Sequence, residues 1–505
     1  MDGLFEKYTG ITIKGAEDDV AEIFSQFYAI DQHAKLWLRT LLQSSQLKDD
    51  TKSIVLRLEG NKYYAEKNFR KAFRCYTKAL CFARNDLGFI TANRSALFYM
   101  TGHYEDCLSD IAFAFKHDLP DHIKLKLLIR RIKCLAILHL DVKHAVDEAV
   151  DFTSTREDKV KEEILKASLS KGSAEPKPAA KVPSLKDAEI NCNFLSASSA
   201  VSLRYDEIRG RHVVANKRLK PGDILFVEKP FVFAPVFNDD KELSLTRCYN
   251  CLKLIYSSIP CQTCVVCVFC NEECRESSWQ EFHQWECCGM RADLWYHLGI
   301  GFPAVRALFK GLPHGLRALS SSYEDTAKFG DPFDNYPYFD KLMSNLSKMD
   351  NILPLIVTAC VIVLYLEDYT GYLKGMSKQT EFVCSLGGRL VKHMAQLQCN
   401  SSLICTKLNT DKFFASEDSS LACGIYPSVS MMNHSCKSNI TIDYFDQVLV
   451  AKAAEEVYPG EEISNCYGID YRYADKETRQ EHCNQLYFFT CNCRICKHPE
   501  LELPL

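Results

Sequence analysis

Residues 431–436 read Met431-Met432-Asn433-His434-Ser435-Cys436, placing an amide, an imidazole, a hydroxyl and a thiol side by side in an aliphatic neighbourhood. Four polar groups in a row serve a satisfied buried turn as well as a site, so the flanking sequence has to decide. On either side lie short β-like runs, "CGIYPSVSMM" at 423–432, "NITIDYFDQVLVAKAA" at 439–454 and "EEIS" at 461–464. They are rich in β-branched and aromatic residues and bounded by Pro, Gly and Asn, as short strands are. The polar run therefore belongs to a β-rich domain.

Upstream, "HVVANKRLKPGDILFVEKPFVFAP" at 212–235 gives a strand, a Pro-Gly turn and a second strand. Cysteine-rich loops follow at 248–288 and helical segments run to about 400 before the strands resume. This order predicts a β domain interrupted by a cysteine module and a helical insert. The apolar run "ILPLIVTACVIVLYL" at 352–366 is shorter than a membrane span requires and carries Pro354 in its first turn, so it is read as a buried helix.

The first 155 residues follow another pattern. The stretches 59–80, 93–115 and 130–150 each give a helix, a short turn and a second helix, with small residues Ala72, Cys107 and Ala145 recurring near the roughly 34-residue period of tetratricopeptide (TPR) repeats. Gly60, Tyr63, Tyr76 and Ala79 fit that consensus in the first copy. A Lys, Glu, Ser, Ala and Pro-rich stretch, nearly free of large apolar residues, then reads as a helix tail and flexible linker.

Composition bounds the remaining possibilities. At 505 residues, 47% hydrophobic, the chain is too long for one core and apolar enough to fold throughout. A net charge of -4 argues against a general nucleic-acid coat. The N-terminus lacks the basic-then-apolar order of a secretory signal and the C-terminal "LELPL" fits no lipidation or retention signal, so a soluble cytoplasmic or nuclear protein is expected. Twenty-five cysteines in a reducing compartment imply metal binding or packing rather than disulfides.

The cysteines crowd where metal ligands would. Cys248-x2-Cys251, Cys261-x2-Cys264, Cys270-x3-Cys274 and His283-x3-Cys287 supply eight ligands in four close pairs, which suits two closed tetrahedral Zn2+ sites. Cys491, Cys493 and Cys496 in "CNCRIC" are one thiolate short of a third, and Cys436 is the natural donor if the two segments meet. Phe269 before Cys270 and Trp279 between the last pairs make the 248–288 module resemble the MYND zinc finger. That resemblance implies interleaved pairs, with Cys248, Cys251, Cys270 and Cys274 on one ion and Cys261, Cys264, His283 and Cys287 on the other. Cys267 and Cys288 are left as spectators. It further implies a protein-interaction module, with a proline-rich peptide as partner.

"GIYPSVSMMNHSCKSNITI", "PGEEISNCYG" and "YFFTCNCRIC" together resemble the SET-domain lysine methyltransferases. With the inserted finger the chain is most similar to the SET-and-MYND subfamily, in its branch with N-terminal TPR repeats. The resemblance implies an α+β multidomain fold: a helical TPR domain at 1–155, a linker at 156–197, the N-terminal part of the SET domain at 198–247 and a MYND finger at 248–288. A helical insert at 289–415, the core SET at 416–470 and a post-SET zinc segment at 471–505 follow. It implies S-adenosylmethionine (SAM) as cofactor, three structural zinc ions and a protein substrate carrying the target lysine. Carried over residue by residue, Tyr467 is the catalytic tyrosine, and Asn433, His434, Asn400, Arg209, Arg211 and Phe489 join it in binding the cofactor. Tyr487 walls the lysine channel, and Cys436 completes the third zinc site. Arg209 and His212 stand where the family's cofactor loop has Lys and Gly, and His212 lacks the freedom of glycine at positive φ. Many relatives continue past the post-SET cysteines into a helical lobe, so a more open substrate cleft is expected here.

Arg57, Asn61, Asn93, Lys126 and Arg130, spaced by helical turns across the repeats, resemble the clamp by which some TPR domains hold the acidic C-terminal tail of a chaperone. The alternative to an enzyme is a non-catalytic TPR/MYND adaptor with a degenerate SET domain, favoured by His212. A sequence-specific DNA-binding protein fits poorly, because no basic helix accompanies the cysteine module. No membrane association is expected, and the chain reads as a monomer.

Overall fold

The computed structural model describes all residues except 17, 154–157, 171–180, 186–189, 193, 239–242, 312–335, 375–379, 406–412, 415–419 and 499–505. Much of the expected linker, 171–180 and 186–189, lies outside the described residues.

The first two long helices, α1 (Val20–Ile30) and α2 (His33–Gln43), are followed by three helix hairpins. These are α3 (Asp50–Ala65) with α4 (Phe69–Phe82), α5 (Leu87–Thr101) with α6 (Tyr104–Ala114), and α7 (Asp121–Ile137) with α8 (Lys143–Phe152), closed by α9 (Asp158–Ser168). Small residues sit where the hairpins touch: Ala72 and Cys107 are fully buried, and a Cβ on Gly60 would come 2.6 Å from the Tyr76 ring. Gly102, at φ 79°, ends α5 in the left-handed conformation that glycine adopts without steric cost.

Among the described residues the β domain contains three sheets, besides a two-stranded pair, Ile259–Pro260 with Val268–Phe269, in the cysteine module. Strands β1 (Phe194–Ser198), β2 (Val201–Asp206), β3 (Gly210–Ala215), β4 (Ile224–Glu228) and β5 (Val232–Pro235) precede the cysteine module, in which α10 (Glu272–Ser278) and α11 (Gln284–Met290) lie. Helices α12 (Gly301–Gly311), α13 (Leu353–Tyr365) and α14 (Thr380–Asn400) form the insert. Strands β6 (Ser401–Cys405), β7 (Ser420–Ile425), β8 (Asn433–His434), β9 (Ile440–Phe445), β10 (Val448–Ala453) and β11 (Glu462–Asn465) complete the domain, followed by α15 (Lys476–Tyr487). The sheet orders are β1-β4-β10-β9, extended beyond β1 by a two-residue edge strand at Ile190–Asn191, β5-β7-β6 and β8-β11-β3-β2. Each mixes strands from before and after the insert, so the inserted segments interrupt one domain.

The structure moves three expected boundaries. Helices α1 and α2 join the core of the β domain and its insert rather than the repeats. The reason is steric: Gly387 and Gly388 in α14 leave no Cβ where α1 crosses, and a methyl there would collide with the Phe24 ring and the Ala21 backbone. The run of helix hairpins therefore begins at α3, not at residue 1. Strand β1 already belongs to the β-domain sheets although 194–197 was expected to be linker, and β6, expected within the helical insert, pairs with β7. Helix α13 and its continuation to Thr370 are long and apolar enough to cross a membrane, yet 72% of that stretch is buried inside the fold. Tyr365 donates to the Trp285 carbonyl and accepts from Gly289 N–H, tying that helix to the cysteine module.

A buried ion pair links the repeats to the same module. Arg94 on α5 and Asp110 on α6, both at most 1% exposed, pair twice at 2.8 Å. Arg94 also donates to the Ser258 carbonyl at 2.7 Å, and the Ser257 hydroxyl donates to Asp110 at 2.8 Å. Phe414, from the connection between β6 and β7, is buried against Phe73, Phe98 and Tyr256.

Candidate active site and metal centres

Three groups of four donors converge: Cys248, Cys251, Cys270 and Cys274; Cys261, Cys264, His283 and Cys287; and Cys436, Cys491, Cys493 and Cys496, with the donor atoms of each group within 4.8 Å of one another. Representative separations are 3.9 Å for Cys251–Cys270, 3.9 Å for Cys261–Cys287, 3.6 Å from Cys264 Sγ to His283 Nε2, and 3.8 and 3.5 Å from Cys436 to Cys491 and Cys496. A tetrahedral ion with metal–sulfur bonds of about 2.3 Å requires sulfur–sulfur edges of about 3.8 Å. All three groups can therefore hold a metal ion of zinc's size and softness. Cys267 and Cys288 belong to none of them.

Behind His283 stands a residue the sequence did not single out. Glu286, fully buried, lies 3.9 Å from His283 Nδ1, receives Arg306 at 2.6 and 3.0 Å, and accepts from the Tyr249 hydroxyl at 2.5 Å. Burial alone would raise its carboxyl; the Arg306 guanidinium outweighs it and holds Glu286 below the usual carboxylate range. At 3.9 Å the carboxylate makes no hydrogen bond to the ring, but it places a negative charge behind an imidazole that could hold a metal ion. Only the helical spacing from His283, at i and i+3, hinted at this role.

The opening hexapeptide lies against the strand that precedes Tyr467. Strand β8 runs parallel to β11, with Asn433 opposite Ser464 and His434 opposite Asn465. Tyr467 N–H donates to His434 Nδ1 at 3.0 Å, and the Tyr467 hydroxyl donates to the Met432 carbonyl at 2.7 Å. Tyr487 donates to the Tyr467 carbonyl at 2.6 Å. The rings of Tyr467 and Tyr487 are 5.1 Å apart, and Phe489 lies 5.8 Å from His434 and 6.5 Å from Tyr467. Phe488 between them ends α15 at φ 59°, which turns both neighbours toward Tyr467.

Burial, then the neighbouring Tyr487, pushes the Tyr467 phenol well above its ordinary value, so it stays protonated and acts as a donor. Burial pushes the His434 imidazole down to about 4, leaving the ring neutral. Beside Tyr467 opens a cavity of about 260 Å³, bounded by Asn400, Ser430, Tyr444, Asn465 and Tyr487 among others and by no lysine, arginine, histidine or carboxylate among the described residues.

The proposed cofactor residues divide into two sets. Asn433 donates to the Arg209 carbonyl at 3.1 Å and to Glu462 at 3.0 Å, so it pins the 209–212 loop to β11. Asn400 borders the cavity while its amide donates to the Met343 and Gln396 carbonyls, both at 2.8 Å. Arg209 pairs with Asp206 at 2.7 Å, and Arg211 is exposed on β3, outside the cavity wall. The expectation for His212 is corrected. Positive φ in this loop falls on Gly210, at 64°, while His212 lies in β3, 2% exposed, its Nδ1 2.9 Å from the Gly210 carbonyl. A side chain at 212 therefore costs the loop no backbone strain. Glu462 and Glu228 also went unnoticed in the sequence; Glu228, buried, accepts from the backbone of Ser428 and Val429 at 2.8 and 3.0 Å and shapes the turn into the hexapeptide.

In the repeats, Asn93 donates to Asn61 at 2.8 Å, Arg57 pairs with Asp86 at 2.6 Å, and Arg130 donates to the Ala92 carbonyl and Ser95 hydroxyl. Lys126 is exposed, with no ion-pair partner among the described residues.

The sequence model of the SET domain matches residues 210–468, a span that includes both β8 and Tyr467. The chain belongs to the SET domain family. Among known proteins it is 26% identical to mouse "Protein-lysine N-methyltransferase SMYD4" over 92% of this chain and 69% of that one. Its human counterpart is 26% identical over 96% and 72%. The pig "N-lysine methyltransferase SMYD2" is 27% identical over 57% of this chain and 58% of its own length.

Proposed function

We propose that this chain is a SAM-dependent protein-lysine N-methyltransferase. The observation that carries the reading is Tyr467, held by its backbone to the His434 ring and by its hydroxyl to the Met432 carbonyl, in the wall of a cavity without lysine, arginine or histidine among the described residues. A cavity edged by phenol rings and hydroxyl and amide groups suits a lysine ammonium and a sulfonium, since aromatic faces attract cations. The relatives' names, which specify lysine methyl transfer, agree with it.

When bound, SAM would supply an electrophilic methyl group suited to in-line transfer to a neutral lysine nitrogen. The protein's part is alignment. Tyr467 and Tyr487 line the cavity and leave the amine a narrow approach, while Phe489 and His434 stand behind Tyr467, outside the cavity wall. Asn433 and Arg209 shape the loop that would hold the methionine end of the cofactor. The amine must lose a proton before it attacks. With no base in the cavity wall among the described residues, that proton leaves to water rather than to a side chain.

Each of the three donor groups would bind one zinc ion, closed to substrate and structural in role, with 248–288 as the MYND finger and the hairpins as TPR repeats. The acidic-tail clamp would require Arg57 to exchange Asp86 for the ligand's carboxylate, leaving Lys126 as the first contact. Incubating the purified chain with labelled SAM and a cell lysate tests the enzyme directly. Transfer to a lysine side chain supports it; no transfer together with no heat of cofactor binding by calorimetry rejects it.

A further inference from the structure

A larger cleft, about 830 Å³, opens where the cysteine module, β5 and α12 meet, and it shares no lining residue with the cavity beside Tyr467. Its floor is aromatic. The Trp285 ring lies 5.1 Å from Phe309 and 4.8 Å from Tyr372, and those two are 4.7 Å apart. A volume of this size, mostly apolar with a few converging polar groups, is typical of a binding site.

The charged groups within the cleft separate into committed and uncommitted ones. Arg306 is fixed by Glu286 and by the Phe233 carbonyl, and Lys310 by the Phe231 carbonyl at 2.5 Å. These bonds cover the Phe233 carbonyl of edge strand β5 and the Phe231 carbonyl just before it, so the cleft does not invite another strand to pair there. Glu281 accepts from Ser277. By contrast, Lys229, Asn250, Gln280 and Gln447 line the cleft with side chains that have no hydrogen-bond partner among the described residues. Lys229 and Gln280 are exposed, so they meet an incoming ligand first. Carboxamides both donate and accept, as reading a peptide group requires, and an unpaired ammonium prefers a carboxylate.

We propose that this cleft binds an extended acidic peptide segment of a partner protein. A bulky apolar side chain of the peptide rests on Trp285, Phe309 and Tyr372, the carboxamides of Asn250 and Gln280 read its backbone, and Lys229 receives its carboxylate. Trp279, 40% exposed on the cysteine module, lies outside this cleft, so the site differs from a proline-rich contact on that tryptophan.

Selection of phage-displayed random dodecapeptides on the zinc-loaded full chain, followed by fluorescence anisotropy with the recovered peptides, tests the assignment. The expected consensus carries Asp or Glu near a bulky aliphatic or aromatic residue. Lys229→Glu weakens its binding about tenfold or more, because a favourable charge contact becomes a repulsive one. Gln280→Ala weakens it less, and neither exposed substitution changes the circular dichroism or the calorimetric binding of SAM. A consensus without acidic residues, or affinity indifferent to both substitutions, overturns the proposal, as does a proline-rich consensus lost only in Trp279→Ala.

Discussion

The backbone N–H of Tyr467 points at Nδ1 of His434, 3.0 Å away. A backbone amide can only donate, so the ring carries its proton on Nε2. That nitrogen lies 3.4 Å from Cys436 Sγ, a donor of the third metal group, and 3.7 Å from Cys483 Sγ. One imidazole therefore spans the tyrosine and the metal centre.

Loss of the third metal should consequently reach the active site. Cys493→Ser, which removes a ligand without touching His434, is expected to lower the zinc content from three ions to two per chain and to weaken SAM binding. Metal analysis and calorimetry on the same sample check both; unchanged cofactor affinity in a two-zinc protein would contradict the coupling.

His434→Ala releases the backbone of Tyr467. A misplacement of about 1 Å in a positioned group costs on the order of 100-fold in rate, and a fall of that size in kcat is expected. Zinc content should stay nearer to normal than in Cys493→Ser, which distinguishes loss of the anchor from loss of the metal.

Tyr467→Phe removes one hydrogen bond, the 2.7 Å contact to the Met432 carbonyl, and keeps the ring. Stability should fall by about 1–3 kcal/mol for the unsatisfied buried carbonyl, measurable by urea denaturation. The kcat should drop far more than the KM rises; a variant with full activity would remove Tyr467 from the chemistry.

Gly387→Ala puts a methyl group into the Phe24 ring. Overpacking of this kind costs about 1–3 kcal/mol, and the expected outcome is a lower urea midpoint with the zinc sites intact. Phe24→Leu in the same chain should recover part of the loss by vacating that space.

Buried phenols make stability fall at alkaline pH. Burial pushes Tyr487 and Tyr444 both up to about 12, against about 10 in an unfolded chain. The raised folded value means that their contribution is complete below pH 10 and is lost as the pH climbs from 10 to 12. Phenolate absorbance should show these tyrosines titrating late, together with unfolding. Activity, by contrast, should rise toward the pKa of the substrate amine without a falling limb from Tyr467.

Local sequence determined a good deal about this protein. Close spacing picked out eleven candidate ligands, because donors to one ion must lie within a few ångströms and short loops enforce that, whereas Cys436, 55 residues before Cys491, rested on the family resemblance and on the two segments meeting. Small residues at Ala72 and Cys107 and the strand runs around the hexapeptide were legible for a similar reason, since each reports a contact close in sequence or a period of the chain. The docking of α1 on α14, the Glu286–Arg306 pair behind His283, the harmless place of His212 and the His434 link between Tyr467 and Cys436 were settled only by tertiary structure. Most of these join residues tens to hundreds of positions apart, and what His212 can adopt depends on which residue of its loop takes the positive φ. Such contacts leave no period or spacing behind, because what selects them is the space and polarity left when the sheets and the insert close around one another.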